Sequence, residues 1–359
     1  MTFLKRLFGR APQQEPAAPV PTGPTALYNV YCTCLDIPQP TFAHILHARR
    51  DLADPELFPH LDGCCGYVLQ RGDGQMTADK YHVITHLQRS RHQVSISVGN
   101  DERAAFHAWA KQANGLIVTE DGHVRDPSGR VLVDADSGKP EALARVPYLE
   151  SAWARKAASE AALKARGIEV LASLPPVVAE EELVLRERDE VVGRARALLL
   201  VALRAESVAA GEPMSVDTLL NKMPLADEYL SSAERAFLAQ EAPSQQACAQ
   251  FLWRYESLAV LELALGLTDA LPFPDAPSDS AALVAALIEM RGPALRPAHE
   301  ILDALDLTYR LHWHIRQQRL KKKGEAVGVD ADVVMERHHT LNWLVQFQFA
   351  PWDDVDTPT

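Results

Sequence analysis

The sequence predicts an α+β protein, with a small N-terminal α/β sandwich domain followed by a larger all-helical domain. Three observations carry that prediction. Strand-like and helix-like patterns alternate between residues 26 and 137. From residue 179 to Phe349 almost every segment has a helical period. A length of 359 residues provides for about two ordinary domains, each with its own core.

Residues 1–25 read as a flexible tail and linker, because Pro12, Pro16, Pro19, Pro21 and Pro24 crowd a stretch with little apolar surface to bury. Leu27–Leu35 is a strand rich in β-formers. Thr41–Arg50 reads as a helix, with Thr41 as its cap and Phe42, Ile45 and Leu46 at helical spacing. Gly66–Gln70 reads as a short strand ending in the turn Gly72-Asp73-Gly74, and Thr77–Ser90 as a second helix. Val94, Ile96 and Val98 alternate with Ser95 and Ser97 as in a half-buried strand. Glu102–Gln112 is a third helix and Gly115–Thr119 a strand. A hairpin then joins Val124 to Val131–Val133 through Asp126-Pro127-Ser128-Gly129. Together these make a sandwich with the sheet on one side and helices on the other, over residues 26–137.

Residues 138–178 read as a helical linker, built on the charged, alanine-rich stretch Glu150–Ala172 and punctuated by Pro175-Pro176. The all-helical domain, residues 179–359, opens with Arg188–Ser207. A capping box at Ser231–Glu234 starts the next helix, and Gln246–Gly266 ends on its glycine. Ser280–Met290, Pro297–Lys321 and Val333–Phe349 complete the set, and Lys321–Gly324 reads as a helix C-terminus.

Composition narrows the function. A net charge of −12 argues against nucleic acid as a partner, since phosphate binding needs a positive surface. No apolar run approaches the ~20 residues of a transmembrane helix, so a cytoplasmic protein is expected. Residues 1–10 are basic and amphipathic, with Phe3, Leu4, Leu7 and Phe8 beside Lys5, Arg6 and Arg10, and offer at most weak contact with a membrane surface. Five cysteines, with Cys32 and Cys34 two apart and Cys64 and Cys65 adjacent, read as free thiols rather than a disulfide framework or a zinc set. There is no glycine-rich phosphate loop and no nucleophile elbow, so no cofactor is expected. His82 and His86 have metal-ligand spacing but lack a third ligand.

Four separated segments carry a resemblance. Phe251–Leu258 with Leu263–Gly266, Glu300–Trp313, Glu336–Leu344 and Trp352–Thr357 resemble the domain of unknown function 4272 family. The likeness starts near Arg155, passes through Gly167-Ile168 and Leu174-Pro175, and implies a bacterial helical domain with no assigned reaction or ligand.

Placed on helices at 100° per residue, those segments turn charges inward. Arg254 falls with Leu258, Leu261 and Leu265, while Glu256 falls with Val260 and Leu263. Glu300, Asp303, Leu307, Arg310 and His314 form one stripe with apolar flanks, and Asp306 is four residues before Arg310. His338 and Asn342 share a side of the next helix, and Arg337 lies with Leu341 and Leu344. The expected site is therefore a buried polar network of Arg254, Glu256, Glu300, Asp303, Arg310, Glu336, Arg337, His338 and Asn342. Trp253, Trp313, Trp343 and Trp352 read as core packing with their indoles hydrogen-bonded inside the network, and Trp352 as a tail folded back.

Such a network serves either to fix helix register or to line a ligand pocket. Glu336-x-x-His339 has the spacing of two-metal sites in helical bundles, but those need a second such motif and two further glutamates. No metal set is therefore expected, with Glu336 and His339 as the alternative. The reading that results is a non-enzymatic interaction or regulatory protein with a protein partner. The alternative is an enzyme, hydrolytic or metal-assisted, using the carboxylate and histidine residues.

Overall fold

The structure, a computed structural model, describes residues 19–321 and 328–359. The basic segment at residues 1–10, most of the proline-rich run and Lys322–Gly324 lie outside the described residues. Contacts divide the chain into two compact units, Met1–Pro147 and Tyr148–Thr359.

The first unit is built on β1 (Thr25–Cys32), β2 (His44–Arg50), β3 (His92–Gly99), β4 (Gly115–Thr119), β5 (Val124–Arg125) and β6 (Val131–Val133). They form one antiparallel sheet in the order β2-β3-β1-β4-β5-β6. Its helices are α1 (Leu57–Leu69), α2 (Ala78–Arg89) and α3 (Arg103–Gln112). Central strands carry apolar residues at both parities, so both faces of the sheet must be covered. Tyr28, Val30 and Cys32 join Val94, Ile96 and Ile117 under Phe106 and Trp109 of α3. Tyr31 and Leu116 face the other way, onto Leu57 and Leu61 of α1 and Val83 and Leu87 of α2. Helices thus lie on both sides of the sheet, where the sequence pattern had suggested one. β3 is correspondingly buried along almost its whole length.

Two local expectations are corrected. Thr41–Arg50 is not a helix: β2 pairs with β3 from His44↔Val98 to Arg50↔Gln93, with a bulge between Leu46 and Ala48. The helical spacing was misleading because only Phe42 is in the core, while Ile45 and Leu46 are exposed. A ten-residue helix is marginal on its own, whereas the ladder to a central strand supplies its hydrogen bonds. Gly66–Gln70 is the end of α1 rather than a strand. Leu57, Leu61 and Val68 make its buried stripe, and Pro59 sits in the first turn, where a missing N–H costs nothing.

Lys80 of α2 is 1% exposed and has no carboxylate partner among the described residues. Its Nζ donates to the carbonyl oxygens of Arg71 at 2.6 Å, Gln75 at 2.9 Å and Leu69 at 3.3 Å. An ammonium ion thereby organises the turn after α1, where Gly72 and Gly74 take positive φ.

The second unit comprises α4 (Glu150–Ala165), α5 (Arg188–Ala209), α6 (Val216–Lys222), α7 (Ser232–Leu238), α8 (Gln245–Leu252), α9 (Arg254–Ala264), α10 (Ser280–Glu289), α11 (Ala298–Leu320) and α12 (Ala331–Leu344). The expected Gln246–Gly266 helix is two helices broken at Trp253, and α6 carried no expectation. α4 ends at Ala165, before Gly167 at φ +74°, and packs on α11 within this unit. α12 stops at Leu344 because Gln346 adopts a left-handed φ of 54°. α9 is apolar nearly all round and lies between α5, α10 and α12 in the main core. A smaller core of Leu163, Ile168, Leu311, Ile315 and Val334 joins α4, α11 and α12.

Candidate functional site

The network residues resolve into separate clusters. The α9–α12 interface carries two of them as crossed pairs. Arg254 Nη1 lies 3.2 Å from Glu336 Oε2, which also accepts from Ser257 Oγ at 3.2 Å. Two residues along, Arg337 Nε donates to Glu256 Oε2 at 3.0 Å, and Ser278 donates to Glu256 from both its backbone N–H and its Oγ. Arg337 Nη1 adds the Pro272 carbonyl at 2.6 Å. Burial raises the Glu336 carboxyl above the usual range, partly offset by Arg254.

Arg254 also reaches a carboxylate that the sequence reading took only as a cap. Its Nε lies 3.3 Å from Glu234 Oε1, within ion-pair range but without the alignment of a hydrogen bond. Glu234, fully buried, is held by Arg194 through two bonds of 2.7 and 2.6 Å. Such a bidentate fork is the strongest arrangement of this pair. The Arg194 guanidinium lies 3.8 Å from the centroid of the Trp352 ring. Trp352 is folded back against Trp343 and His339, whose Nε2 is 2.9 Å from the Trp352 carbonyl. The expected indole bond is not found for Trp352, whose Nε1 is buried with no acceptor among the described residues, and Trp253 and Trp313 are only half-buried. Arg194 was within reach of sequence reasoning, since it falls three residues after Val191 and four before Leu198, on a buried face.

On α11, Arg310 is fully buried and forks onto Asp306 at 2.8 Å in both bonds. Its Nη1 reaches Glu160 of α4 at 3.4 Å, and Lys156 Nζ reaches the same Glu160 oxygen at 2.6 Å. Glu300 and Asp303 do not join this cluster. Asp303 is exposed and takes a 2.9 Å bond from Arg155, while Glu300 pairs with Arg296. The stripe is therefore enclosed only at its Arg310 end.

His338 faces His312 at 2.9 Å between their Nδ1 atoms, both rings buried. Burial drives His338 down to about 3 and His312 to about 4, the latter helped by Arg316 and Arg319. Asn342 donates to the Asp356 carbonyl at 2.8 Å. Glu336 and His339 thus have different partners and share no centre. Among the described residues no group of three metal-ligating side chains is gathered.

This unit also carries an open groove of about 500 Å³. Its floor is the smaller core, with Leu163, Leu307, Leu311 and Val334, roofed by Leu271–Pro274. Of the expected site residues, Glu300, Asp303 and Arg337 line it. Arg166 closes one side with its guanidinium 4.0 Å from the centroid of the Phe273 ring. The first unit has a more polar hollow of about 780 Å³ beside β1 and α3, whose Arg125 already spans Asp121 and the Gly129 carbonyl.

The pairs, the fold-back of Trp352 and the groove all fall within residues that match a known family. A family model described as Domain of unknown function (DUF4272) matches residues 155–355, more than half of the chain. The chain belongs to this family. The match begins at Arg155, one partner of Asp303, and ends just after the Trp352–Asp354 turn that covers Arg194, so the DUF4272 domain includes every buried ion pair described above. No curated protein and no solved structure matches the chain. Among the described residues no helix is long and apolar enough to cross a membrane.

Proposed function

We propose that the chain is an intracellular, non-enzymatic interaction or regulatory protein whose DUF4272 domain holds a ligand in the α4–α11 groove. The observation that carries this reading is the division of labour among the charges. The carboxylates and histidines expected to do chemistry are engaged with one another: Glu256 with Arg337, Glu336 with Arg254, Asp306 with Arg310, His338 with His312. Of the carboxylates that line the groove, Glu300 lies against Arg296 and Asp303 against Arg155. Crossed Arg254–Glu336 and Glu256–Arg337 pairs act as a register lock, because a slip between α9 and α12 would bring arginine against arginine. The groove has an apolar floor and an open mouth, which suits binding.

The test uses the full chain. Hydrophobic small molecules that raise the melting temperature of the wild type, and lose that effect in Ala162→Trp, support the binding role, since Ala162 is exposed and lines the groove. Ester, amide or phosphate hydrolysis, with or without added zinc or manganese, that disappears in Glu336→Gln or His338→Asn would overturn it. A protein partner for the α/β unit belongs to the same proposal, and its test is co-purification of one defined polypeptide at fixed stoichiometry.

A further inference from the structure

Five charged residues line the groove: Arg166, Asp269, Glu300, Asp303 and Arg337. Four are already answered. Asp269 and Glu300 both lie against Arg296, Asp303 takes Arg155, and Arg337 takes Glu256. Arg166 alone among them has neither a carboxylate partner nor a hydrogen bond to its N–H groups among the described residues; its guanidinium carbon lies 4.0 Å from the centre of the Phe273 ring. A single guanidinium beside an apolar floor, with Asp269, Glu300 and Asp303 on the same groove, suits an amphiphile whose head carries one negative charge rather than two, and the planar carboxylate matches its fork.

We infer that the groove takes a small carboxylate-bearing amphiphile, its alkyl chain or ring on Leu163, Leu307 and Leu311 and its carboxylate on Arg166. This rests on the binding role proposed above and specifies the ligand class. A volume of about 500 Å³ lies within the ~300–1,000 Å³ typical of small-molecule sites. The neighbouring acids do not oppose the carboxylate strongly, because each lies in an ion pair with arginine.

Calorimetry on the full chain, with each amphiphile below its micelle concentration, tests it. The probes are dodecanoate, dodecylammonium and dodecanol, each against the wild type, Arg166→Gln and Ala162→Trp; both altered positions are exposed, so the fold is kept. Dodecanoate is expected to bind one per chain and more tightly than the other two. Arg166→Gln is expected to weaken dodecanoate by about tenfold or more, the worth of a charge-assisted bond, and to leave dodecanol unchanged. Ala162→Trp is expected to abolish all three. If dodecylammonium binds the wild type as tightly as dodecanoate, or Arg166→Gln leaves dodecanoate unaffected, the carboxylate assignment fails while the groove's binding role stands. If no probe binds, or Ala162→Trp leaves binding intact, the binding role fails and takes this inference with it.

Discussion

The two ends of α9 bury the same side chain in opposite ways. Glu256, 2% exposed, receives Arg337 and both donors of Ser278. Glu262, 1% exposed and less than two turns further on, has an Oε1 with no hydrogen-bond partner among the described residues. Burial alone pushes its carboxyl up to about 8, so it carries a proton at neutral pH. The contrast teaches that apolar surroundings do not by themselves decide whether a buried acid is ionic. A cation delivered from another helix decides it, and among the described residues only Glu256 of the two has one.

The largest expected effect comes from removing that cation. Arg337→Ala strands the Glu256 charge and should cost about 3–5 kcal/mol in urea unfolding. The double replacement Arg337→Met with Glu256→Leu should recover most of the loss; an equal loss would mean that the pair itself, rather than an uncompensated charge, carries the energy. Next comes the pH dependence of Glu262. Its folded pKa lies above the usual 4.5, so its contribution is fully present below pH 4.5 and is lost as pH rises towards 8. The slope is at most about 1.4 kcal/mol per pH unit, and Glu262→Gln should remove it. His338 and His312 work in the other direction, since lowered values make their contribution disappear as pH falls below 6.5. The difference between wild type and Glu262→Gln isolates the glutamate.

Arg254→Ala should cost less than the Arg337 change, about 1–3 kcal/mol, because Glu234 keeps Arg194 and Glu336 keeps Ser257. A loss equal to that of Arg337→Ala would show the two α9 pairs to be one cooperative unit. Smallest is Asp303→Asn: Asp303 is exposed, and its buried partner Arg155 keeps Glu180 and the Val178 carbonyl, so the cost is expected below about 1 kcal/mol and diminished by salt. A larger change would argue that the groove rim is part of the scaffold.

Much of this was legible from periodicity. Arg254, Glu256 and Arg337 sit among leucines at helical spacing, so their burial and need for partners followed from the chain alone, as did the Asp306–Arg310 pair. What was missed depends on non-local structure. β2 looks helical until β3 is set beside it. Glu234 looked like an ordinary capping residue, because a capping box says nothing about what approaches from another helix. The groove depends on where Leu271–Pro274 cross the α4–α11 seam, and a proline-rich connection has no period from which to read its path.

Glu234 joins two jobs that proteins usually separate. It closes the reciprocal cap with Ser231 and at the same time accepts the Arg194 fork. The first turn of a helix is ordinarily where amide protons exchange soonest, through fraying that disturbs little else. Here that turn cannot loosen without taking the carboxylate from a buried guanidinium, so its amide protons are expected to exchange late for a helix start. A boundary has become part of the keystone.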